Sequence, residues 1–433
     1  MADTEMRPEA SRLETLTEDY TREPVPAHVN TRGLQIAIIQ CAIGITLPVL
    51  AYSSWLAQEN GLGSANFGFW AGSWIVALIS VFSGMVGAQS RLSTYMILQF
   101  SFGRTGAKLV NLLMAVILLG WYAVTCEEFG LAISQALETM LGIDLNVQLA
   151  TLAGSVLMAL TTIFGFQMIE KFSRFSVPLL AGFMVYVALQ ATGSGDVALD
   201  WSRSATAEAE VSLISTVIGL FVIAAVLMPD FTRFCPNSRE SIIASVVGLG
   251  FTFPMVALLA AIPAVRTGES DLIMIMAGMG VVFAALFVLV FATWSTNITN
   301  LYSSTLTLST IATKVPSWKL TVLGAVVATA AAMGGLAGEF TTFLLFIGVT
   351  TTPLVGIYVV DFFLIRGRDY DLRRLEAAPA IGWPALVSWA LGSTLGYLTE
   401  NGLLSLTGLS AIDALIPTAL LYFVLAKLLG RRA

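Results

Sequence analysis

The stretch Ala42-Ile43-Gly44-Ile45-Thr46-Leu47-Pro48 interrupts an apolar segment that runs from about residue 33 to residue 56. Proline cannot donate a backbone hydrogen bond and disturbs the helical turn before it, so we expect a helix to break here and to free carbonyl groups near Gly44. About 20 consecutive apolar residues are enough to cross a bilayer. The stretch therefore predicts a membrane-spanning helix that is broken within the membrane.

Similar apolar segments recur along nearly the whole chain. Of the 433 residues, 56% are hydrophobic and 12% are charged, and the mean hydropathy is +0.82. Soluble domains carry about 25% charged residues. The composition predicts an all-α polytopic membrane protein with twelve transmembrane helices, and these lie at about residues 33–56, 65–88, 107–138, 147–167, 174–193, 211–233, 241–265, 273–310, 318–335, 339–365, 381–398 and 408–428.

A second interruption is predicted in the sixth segment. Its stretch Gly219-Leu220-Phe221-Val222-Ile223-Ala224-Ala225 is followed by Pro229. Broken helices 1 and 6 lie five segments apart, as in transporters built from two inverted repeats of five helices. In such proteins, solutes bind where the broken helices expose backbone groups near the middle of the membrane.

Basic residues indicate the orientation. If the N-terminus is inside and the segments alternate, 20 of the 22 Lys and Arg residues lie inside, and Arg203 and Arg266 lie outside. This asymmetry follows the positive-inside rule. We therefore expect a multi-pass protein of the cell inner (plasma) membrane with both termini in the cytoplasm.

The chain divides into three parts. Residues 1–32 hold seven acidic residues, four arginines and no apolar run, which predicts a solvated, disordered cytoplasmic tail. We expect residues 33–365 to form a ten-helix transport core of inverted repeats. Residues 366–433 would add two transmembrane helices and a short cytoplasmic end.

The sequence offers no support for an enzyme. The single histidine, His28, lies in the tail, and three cysteines at separate positions match neither a disulfide framework nor a metal site. No phosphate-binding loop and no soluble domain long enough for an ATPase are present, so transport energy would have to come from an ion gradient. We expect no organic cofactor.

The eighth segment carries a polar stripe. Thr293, Thr296, Asn297 and Asn300 are spaced i, i+3, i+4 and i+7, which places them on one helix face. Such groups either hydrogen-bond neighbouring helices or bind a hard cation or a polar solute. If the first and eighth segments touch, about five oxygens could hold sodium, namely the carbonyls of Gly44, Leu47 and Ala292 and the hydroxyls of Ser295 and Thr296.

Two acidic residues lie within the third segment. Glu128 follows Trp121 by seven residues and Thr125 by three, so these three residues share a helix face, while Glu127 points elsewhere. Ionisable groups at membrane depth usually face a cavity or a partner. Glu128 is therefore either a structural partner of a neighbouring helix or a ligand or coupling group.

Several weak motifs become specific in combination, because they occur in a fixed order over some 320 residues. On these motifs the chain resembles the nucleobase–cation symporter-1 family, the cytosine, purine and hydantoin permeases. They are Gly44-Ile45-Thr46, Gln99-Phe100-Ser101-Phe102-Gly103, Gly120-Trp121-Tyr122, Asp230-Phe231-Thr232-Arg233-Phe234, Trp294-Ser295-Thr296-Asn297, Pro353-Leu354-Val355-Gly356-Ile357 and Asp361-Phe362-Phe363.

The resemblance implies a leucine-transporter-like fold and a sodium site of the kind described above. It also implies a slot in which a flat heterocycle stacks between Trp121 and Phe221, with Gly219 and Asn297 beside it. On this interpretation Thr293 and Asn300 bond neighbouring helices.

The chain departs from the family pattern where polar groups are expected. Leu118, Leu220 and Ile223 stand where cytosine permeases carry Gln, Ser and Ser, and Thr125 stands where hydantoin permeases carry Gln. A site that loses such partners rejects a solute that it would recognise by its polar edge. The pocket is therefore expected to be more apolar than that of a cytosine carrier.

The sequence thus predicts a sodium-coupled importer of a small nitrogenous heterocycle that is nucleobase-like, hydantoin-like or vitamin-precursor-like. Trp121 and Phe221 would stack the ring, and Asn297 and Thr125 would bond it. The alternative is a proton-coupled transporter of a small organic cation or amine that uses Glu128. A channel or receptor with this fold is a third possibility, which gradient-driven accumulation of solute would exclude.

Overall fold

A computed structural model of the protein describes residues 20, 23–163, 166–194, 198–269, 271–336, 340–376 and 379–430. Within these residues the secondary structure is helical, and the helices group into twelve spans that correspond to the predicted segments.

The first six spans run from residue 33 to residue 232. They comprise span 1 (Gly33–Gly44 and Leu47–Asn60), span 2 (Leu62–Ser90), span 3 (Gly106–Leu141), span 4 (Val147–Thr162), span 5 (Phe166–Ser194) and span 6 (Ala207–Val226 and Met228–Thr232). A short helix, Thr94–Phe102, lies between spans 2 and 3.

The last six spans complete the bundle. They comprise span 7 (Ser238–Ser245, the π-helix Val246–Thr252 and Phe253–Thr267), span 8 (Leu272–Gly278 and Val282–Ile311), span 9 (Ser317–Met333), span 10 (Phe340–Val360 and the π-helix Asp361–Ile365), span 11 (Trp383–Glu400) and span 12 (Ser410–Gly430). A short helix, Leu372–Glu376, precedes span 11.

Length and composition support membrane crossing for most of these helices. In the described part of the chain, seven helices are long and apolar enough to cross a membrane, and the two halves of span 1 together make an eighth. Spans 4 and 9 are apolar but shorter.

Span 1 breaks where the sequence predicts. Its halves meet at Ile45 and Thr46 with a bend of 68°. The Thr46 N–H donates to the Gly44 carbonyl (3.2 Å) and not to Ala42 four residues back, so the Ala42 carbonyl loses its helical partner. Gly44 is required by packing, because a Cβ atom there would lie 2.8 Å from the Phe253 ring of span 7.

Span 6 breaks later than the quoted stretch suggests. Its helix is continuous from Gly219 to Val226, and the interruption is at Leu227, before Pro229. The carbonyls of Ala225 and Val226 accept from the hydroxyls of Ser83 (2.6 Å) and Tyr358 (3.0 Å). Hydroxyls of neighbouring helices thus satisfy the backbone groups at this break.

Of the predicted tail, residues 1–32, the structure describes Tyr20 and residues 23–32, and the other residues lie outside the described part of the chain. Residues 23–32 pack on one end of the bundle, which we call the N-terminal side. Arg91 donates to the carbonyls of Val25 (2.6 Å) and Val29 (2.6 Å), and the Val25 side chain is buried. Repeated backbone contacts to one guanidinium hold this segment in place.

Candidate functional site

A small cavity lies where the break in span 1 meets spans 3, 6, 7 and 8. Its volume is about 20 Å³, and it is lined by Ile43, Thr46, Val49, Trp121, Leu220, Phe221, Ile223, Ala224, Phe253, Thr296 and Asn300. A cavity of this size holds about one water molecule, whereas ligand pockets occupy several hundred Å³. The structure therefore shows the site closed, and a planar ring could enter only if the lining side chains moved apart.

The two predicted aromatic residues both line this cavity. Trp121 and Phe221 are buried, and each also packs against another ring. The Phe221 ring lies 4.3 Å from that of Phe253 at an angle of 37°, and Trp121 meets Phe343 edge-on at 5.9 Å. Phe253 of span 7 was not predicted, and no motif in the sequence indicates it, because its place in the lining follows from its packing against Gly44 of span 1.

The rest of the lining is mostly apolar. Leu220 and Ile223 both face the cavity, in agreement with the expectation of an apolar pocket. Its polar side chains are Thr46, Thr296 and Asn300. The Thr46 hydroxyl is buried and has no hydrogen-bond partner among the described residues, so it can bond a solute.

The structure brings Asn300, and not Asn297, to the cavity. The Asn297 amide group is fully buried and donates to the Tyr122 carbonyl (3.2 Å) and to Cys126 Sγ (3.3 Å). Asn300 donates to Asn297 Oδ1 (3.3 Å), which leaves its own carbonyl oxygen available. Asn297 therefore positions Asn300. Among the described residues, the hydrogen bond of the Asn300 amide stays within span 8 and does not reach a neighbouring helix as expected.

Three other predicted substrate residues lie outside the lining. The Thr125 hydroxyl donates to the Trp121 carbonyl one turn earlier (2.7 Å), and Gly219 lies near Gly348 of span 10. Glu128 has a buried carboxylate oxygen that accepts no hydrogen bond from any described residue. The helix face shared by Trp121, Thr125 and Glu128 thus contributes Trp121 alone to the cavity.

A compact group of oxygens lies directly beside the cavity. Thr296 Oγ1 donates to the carbonyls of Ala42 (3.0 Å) and Ala292 (3.2 Å), and Ser295 Oγ donates to Ala292 (3.0 Å). Spans 1 and 8 therefore touch, as the predicted cation site requires. All of these groups are buried.

The contact in span 1 differs from the predicted one. The Gly44 carbonyl accepts from Thr46 N, and Leu47 begins the second helical half. The Ala42 carbonyl faces Thr296 instead. Ile45, three residues further on, has a carbonyl that accepts no hydrogen bond from the part of the chain that the structure describes.

A buried polar network joins spans 6 and 8 at the end of the bundle that we call the N-terminal side. The Arg233 guanidinium donates to the Tyr302 hydroxyl (2.8 Å), the Tyr20 carbonyl (2.8 Å) and the Asp230 carbonyl (3.1 Å). Asp230 accepts from the Thr94 N–H (2.7 Å). Arg233 therefore links spans 6 and 8 to the N-terminal segment, and its contact with Asp230 is to the backbone carbonyl.

The fold and the site together define a polytopic membrane protein with broken helices at its centre. Residues 41–419 match the family described as permeases for cytosine/purines, uracil, thiamine and allantoin. The chain belongs to this family, which the sequence motifs indicated, and it is a transporter and not an enzyme.

Individual relatives agree with this assignment. The chain is 26% identical over 421 residues to the cytosine permease of Escherichia coli K12, covering 96% of both chains. It is also 26% identical over 407 residues to the hydantoin permease of Microbacterium maritypicum, covering 87% of this chain and 83% of the relative.

Solved structures show the same fold. Mhp1, a nucleobase–cation symport-1 family transporter, in a closed conformation with bromovinylhydantoin bound, matches with a TM-score of 0.83 at 20% identity over 96% of both chains. Inward-facing Mhp1 matches with a TM-score of 0.80 at 20% identity, covering 96% of this chain and 94% of Mhp1.

Proposed function

We propose that this permease imports a small, planar nitrogenous heterocycle together with sodium. It would act in the plasma membrane with both termini in the cytoplasm, as the distribution of basic residues indicates. The observation that carries the proposal is the double contact of Thr296, which lines the cavity and also donates to the Ala42 carbonyl at the break of span 1. One residue thus belongs to both the solute site and the ion site.

The sodium ligands would come from both sides of this contact. Sodium is a hard cation that favours oxygen ligands. Carbonyls of Ala42, Ile45 and Ala292 and hydroxyls of Ser295 and Thr296 supply five oxygens, with Ala42 and Ile45 replacing the Gly44 and Leu47 of the sequence prediction. The donor set fits, because these oxygens are neutral and the break has removed the helical partners of the two carbonyls in span 1.

The solute would be held mainly by its flat faces. Trp121 and the Phe221–Phe253 pair offer aromatic surface, and aromatic rings prefer stacked or edge-on arrangements. Thr46 and Asn300 supply one hydroxyl and one carbonyl oxygen for the polar edge. So few polar groups favour a hydantoin-like or less polar heterocycle over cytosine, which would leave edge groups unpaired against Leu220 and Ile223.

Coupling would follow from the position of the ion. Sodium at Thr296 would tie span 1 to span 8 beside the 68° bend, so that the ion stabilises the arrangement of the cavity that binds the solute. A ligand shifts a conformational equilibrium only through its differential affinity for the two states. Because Thr296 would contact both the ion and the solute, each ligand would favour the conformation in which the other also binds.

The buried carboxylate of Glu128 supports a second candidate, which is proton-coupled transport of a small organic cation. An aromatic face such as Trp121 also attracts cations. Uptake that is independent of sodium, driven by a pH gradient and abolished by Glu128→Gln would favour this candidate. The absence of Glu128 from the cavity lining favours the sodium-coupled heterocycle.

A thermal-stability screen of purified protein tests the proposed substrate class. Hydantoins, nucleobases, vitamin precursors and small amines would be added with and without sodium. We expect a planar heterocycle to raise the melting temperature more in sodium than in choline, and Thr296→Ala to remove this difference. Thr307→Ala is a matched control in the same span, because its hydroxyl donates one turn back to the Ser303 carbonyl and Thr307 does not line the cavity. A stabilising ligand whose effect ignores sodium would contradict the proposal.

A further inference from the structure

A second cavity lies at the N-terminal side, separate from the central site. Its volume is about 310 Å³, and it is bounded by the start of span 3, the end of span 8, the helix Thr94–Phe102 and Ala380 before span 11. The residues that carry the proposed transport function do not line it. The cavity is large enough for a small polar headgroup.

The lining of this cavity is positively charged. Arg104 and Lys108 both face it from the start of span 3, and none of its described lining residues is acidic. Both residues are exposed at the protein surface. Two cations with no carboxylate among the described lining residues favour an anionic ligand.

Asn111 adds a specific requirement to this charge. Its amide nitrogen donates to Thr310 Oγ1 (2.7 Å) and to the Tyr95 carbonyl (3.3 Å), and the latter acceptor fixes the orientation of the amide. Its carbonyl oxygen is buried and accepts no hydrogen bond from the described residues. Only 1% of Asn111 is exposed, and it lines the cavity, so a ligand with an O–H or N–H group would satisfy this oxygen.

Apolar side chains beside the cavity place it next to lipid. Leu109 and Leu112 follow Lys108 on span 3 and are 59% and 50% exposed. The Ala380 carbonyl accepts from Thr105 N (2.8 Å), which holds the start of span 11 against span 3, and Trp383 there is 62% exposed. Exposed tryptophans at helix ends lie preferentially at the membrane–water interface. These exposed apolar side chains predict that the cavity opens where headgroups meet acyl chains.

We propose that this cavity binds the headgroup of an anionic glycerophospholipid. Arg104 and Lys108 would contact the phosphate, and a headgroup hydroxyl would donate to Asn111 Oδ1. Basic pockets between membrane helices on the cytoplasmic side bind anionic headgroups in this way. A soluble phosphate ester shares this chemistry, and the neighbouring Leu109, Leu112 and Trp383 favour the lipid.

Lipid binding to the full-length protein in detergent tests this site, with native mass spectrometry as the readout and no need for transport. We expect phosphatidylglycerol to bind more tightly than phosphatidylcholine. The double variant Arg104→Gln/Lys108→Gln should weaken phosphatidylglycerol binding by roughly tenfold or more. The control Arg239→Gln/Lys319→Gln removes two exposed charges that do not line the cavity and should change binding little. An equal loss in both double variants would show diffuse attraction and overturn the proposal.

The role of Asn111 is tested without altering the protein, because a variant there could lose the Tyr95 and Thr310 contacts. Phosphatidylmethanol carries the same charge as phosphatidylglycerol but lacks the hydroxyls. We expect it to bind several-fold more weakly, and equal binding of the two lipids would refute the hydroxyl contact. The third ligand to be tested is soluble sn-glycerol 3-phosphate. If it binds at concentrations at which phosphatidylglycerol does not bind, the assignment to a lipid is overturned.

Discussion

The Thr296 hydroxyl of span 8 donates to the Ala42 carbonyl of span 1 across 3.0 Å. The bond exists because Thr46 N turns to Gly44 and frees the Ala42 carbonyl from its helix. It joins the broken span to the polar stripe, and Thr296 also lines the central cavity. The function proposed for this permease depends on that shared position.

Substitution of Thr296 should separate ion dependence from folding. Thr296→Ala removes the hydroxyl, and we expect it to reduce the sodium stimulation of ligand binding by about tenfold or more, the range of ordinary site-to-site coupling. Thr296→Ser keeps the hydroxyl and should retain most of the stimulation. Ligand titrations at several sodium concentrations check this, and identical sodium dependence in Thr296→Ala and the wild type would exclude Thr296 as a ligand.

Polar groups restored at span 6 should change the preferred solute. Leu220 and Ile223 line the cavity where cytosine permeases carry serines. We expect Leu220→Ser/Ile223→Ser to strengthen the binding of cytosine relative to a less polar heterocycle by roughly threefold to tenfold per new hydrogen bond. Competition binding measures this ratio. Val217→Ser is a control on the same helix, outside the cavity lining, and an equal change in this variant would contradict the account.

Gly44 should tolerate no side chain. A Cβ atom there would lie 2.8 Å from the Phe253 ring, so Gly44→Ala forces span 1 away from span 7. We expect a loss of stability of about 1–3 kcal/mol, the usual cost of overpacking. Thermal unfolding in detergent checks this, and Phe253→Leu should restore part of the loss. Gly182→Ala meets nothing within 4 Å and serves as the control.

The N-terminal segment should protect Cys235, which lies between spans 6 and 7. Burial raises the pKa of the Cys235 thiol to about 12, so the reactive thiolate is scarce at neutral pH. Arg91 donates to the Cys235 carbonyl (3.3 Å) and holds Val25 and Val29. We expect Arg91→Gln to release the segment and hydrate the thiol. Because burial is the largest cause of the raised pKa, hydration should lower the pKa more than loss of the Arg91 charge raises it, and maleimide labelling should become faster.

Cys235→Ser identifies the labelled residue in this experiment. Labelling that stays slow in Arg91→Gln, or that persists in the double variant with Cys235→Ser, would show that the segment does not cover this thiol.

The sequence predicted the twelve spans and the break in span 1 because both follow from local chemistry, which is apolar length and the missing N–H of Pro48. Through the family motifs it also predicted a slot between Trp121 and Phe221 with Leu220 and Ile223 beside it, whereas Thr296 was predicted as a sodium ligand and not as part of the cavity lining. It was not predictable from the sequence which polar groups face the cavity and which face a neighbouring helix. The carbonyl that faces Thr296 depends on whether Thr46 N turns to Gly44 or to Ala42, and this choice is made by packing between spans.

The roles of Asn297 and Asn300 illustrate the same limit. Both lie on the polar face of span 8, and only the neighbouring Tyr122 carbonyl and Cys126 thiol determine that Asn297 faces span 3 while Asn300 reaches the cavity. The fold of residues 23–32 was missed for a related reason. Their composition is typical of a solvated tail, and their contacts with Arg91 and with the Phe234 carbonyl become visible only in three dimensions.

Uptake into proteoliposomes under imposed gradients tests the central claim most directly. A planar heterocycle identified by the stability screen would be supplied outside, with either an inward sodium gradient or an inward proton gradient. We expect concentrative uptake that requires the sodium gradient, is lost in Thr296→Ala and is retained in Glu128→Gln. Uptake driven by protons alone and abolished by Glu128→Gln would contradict it.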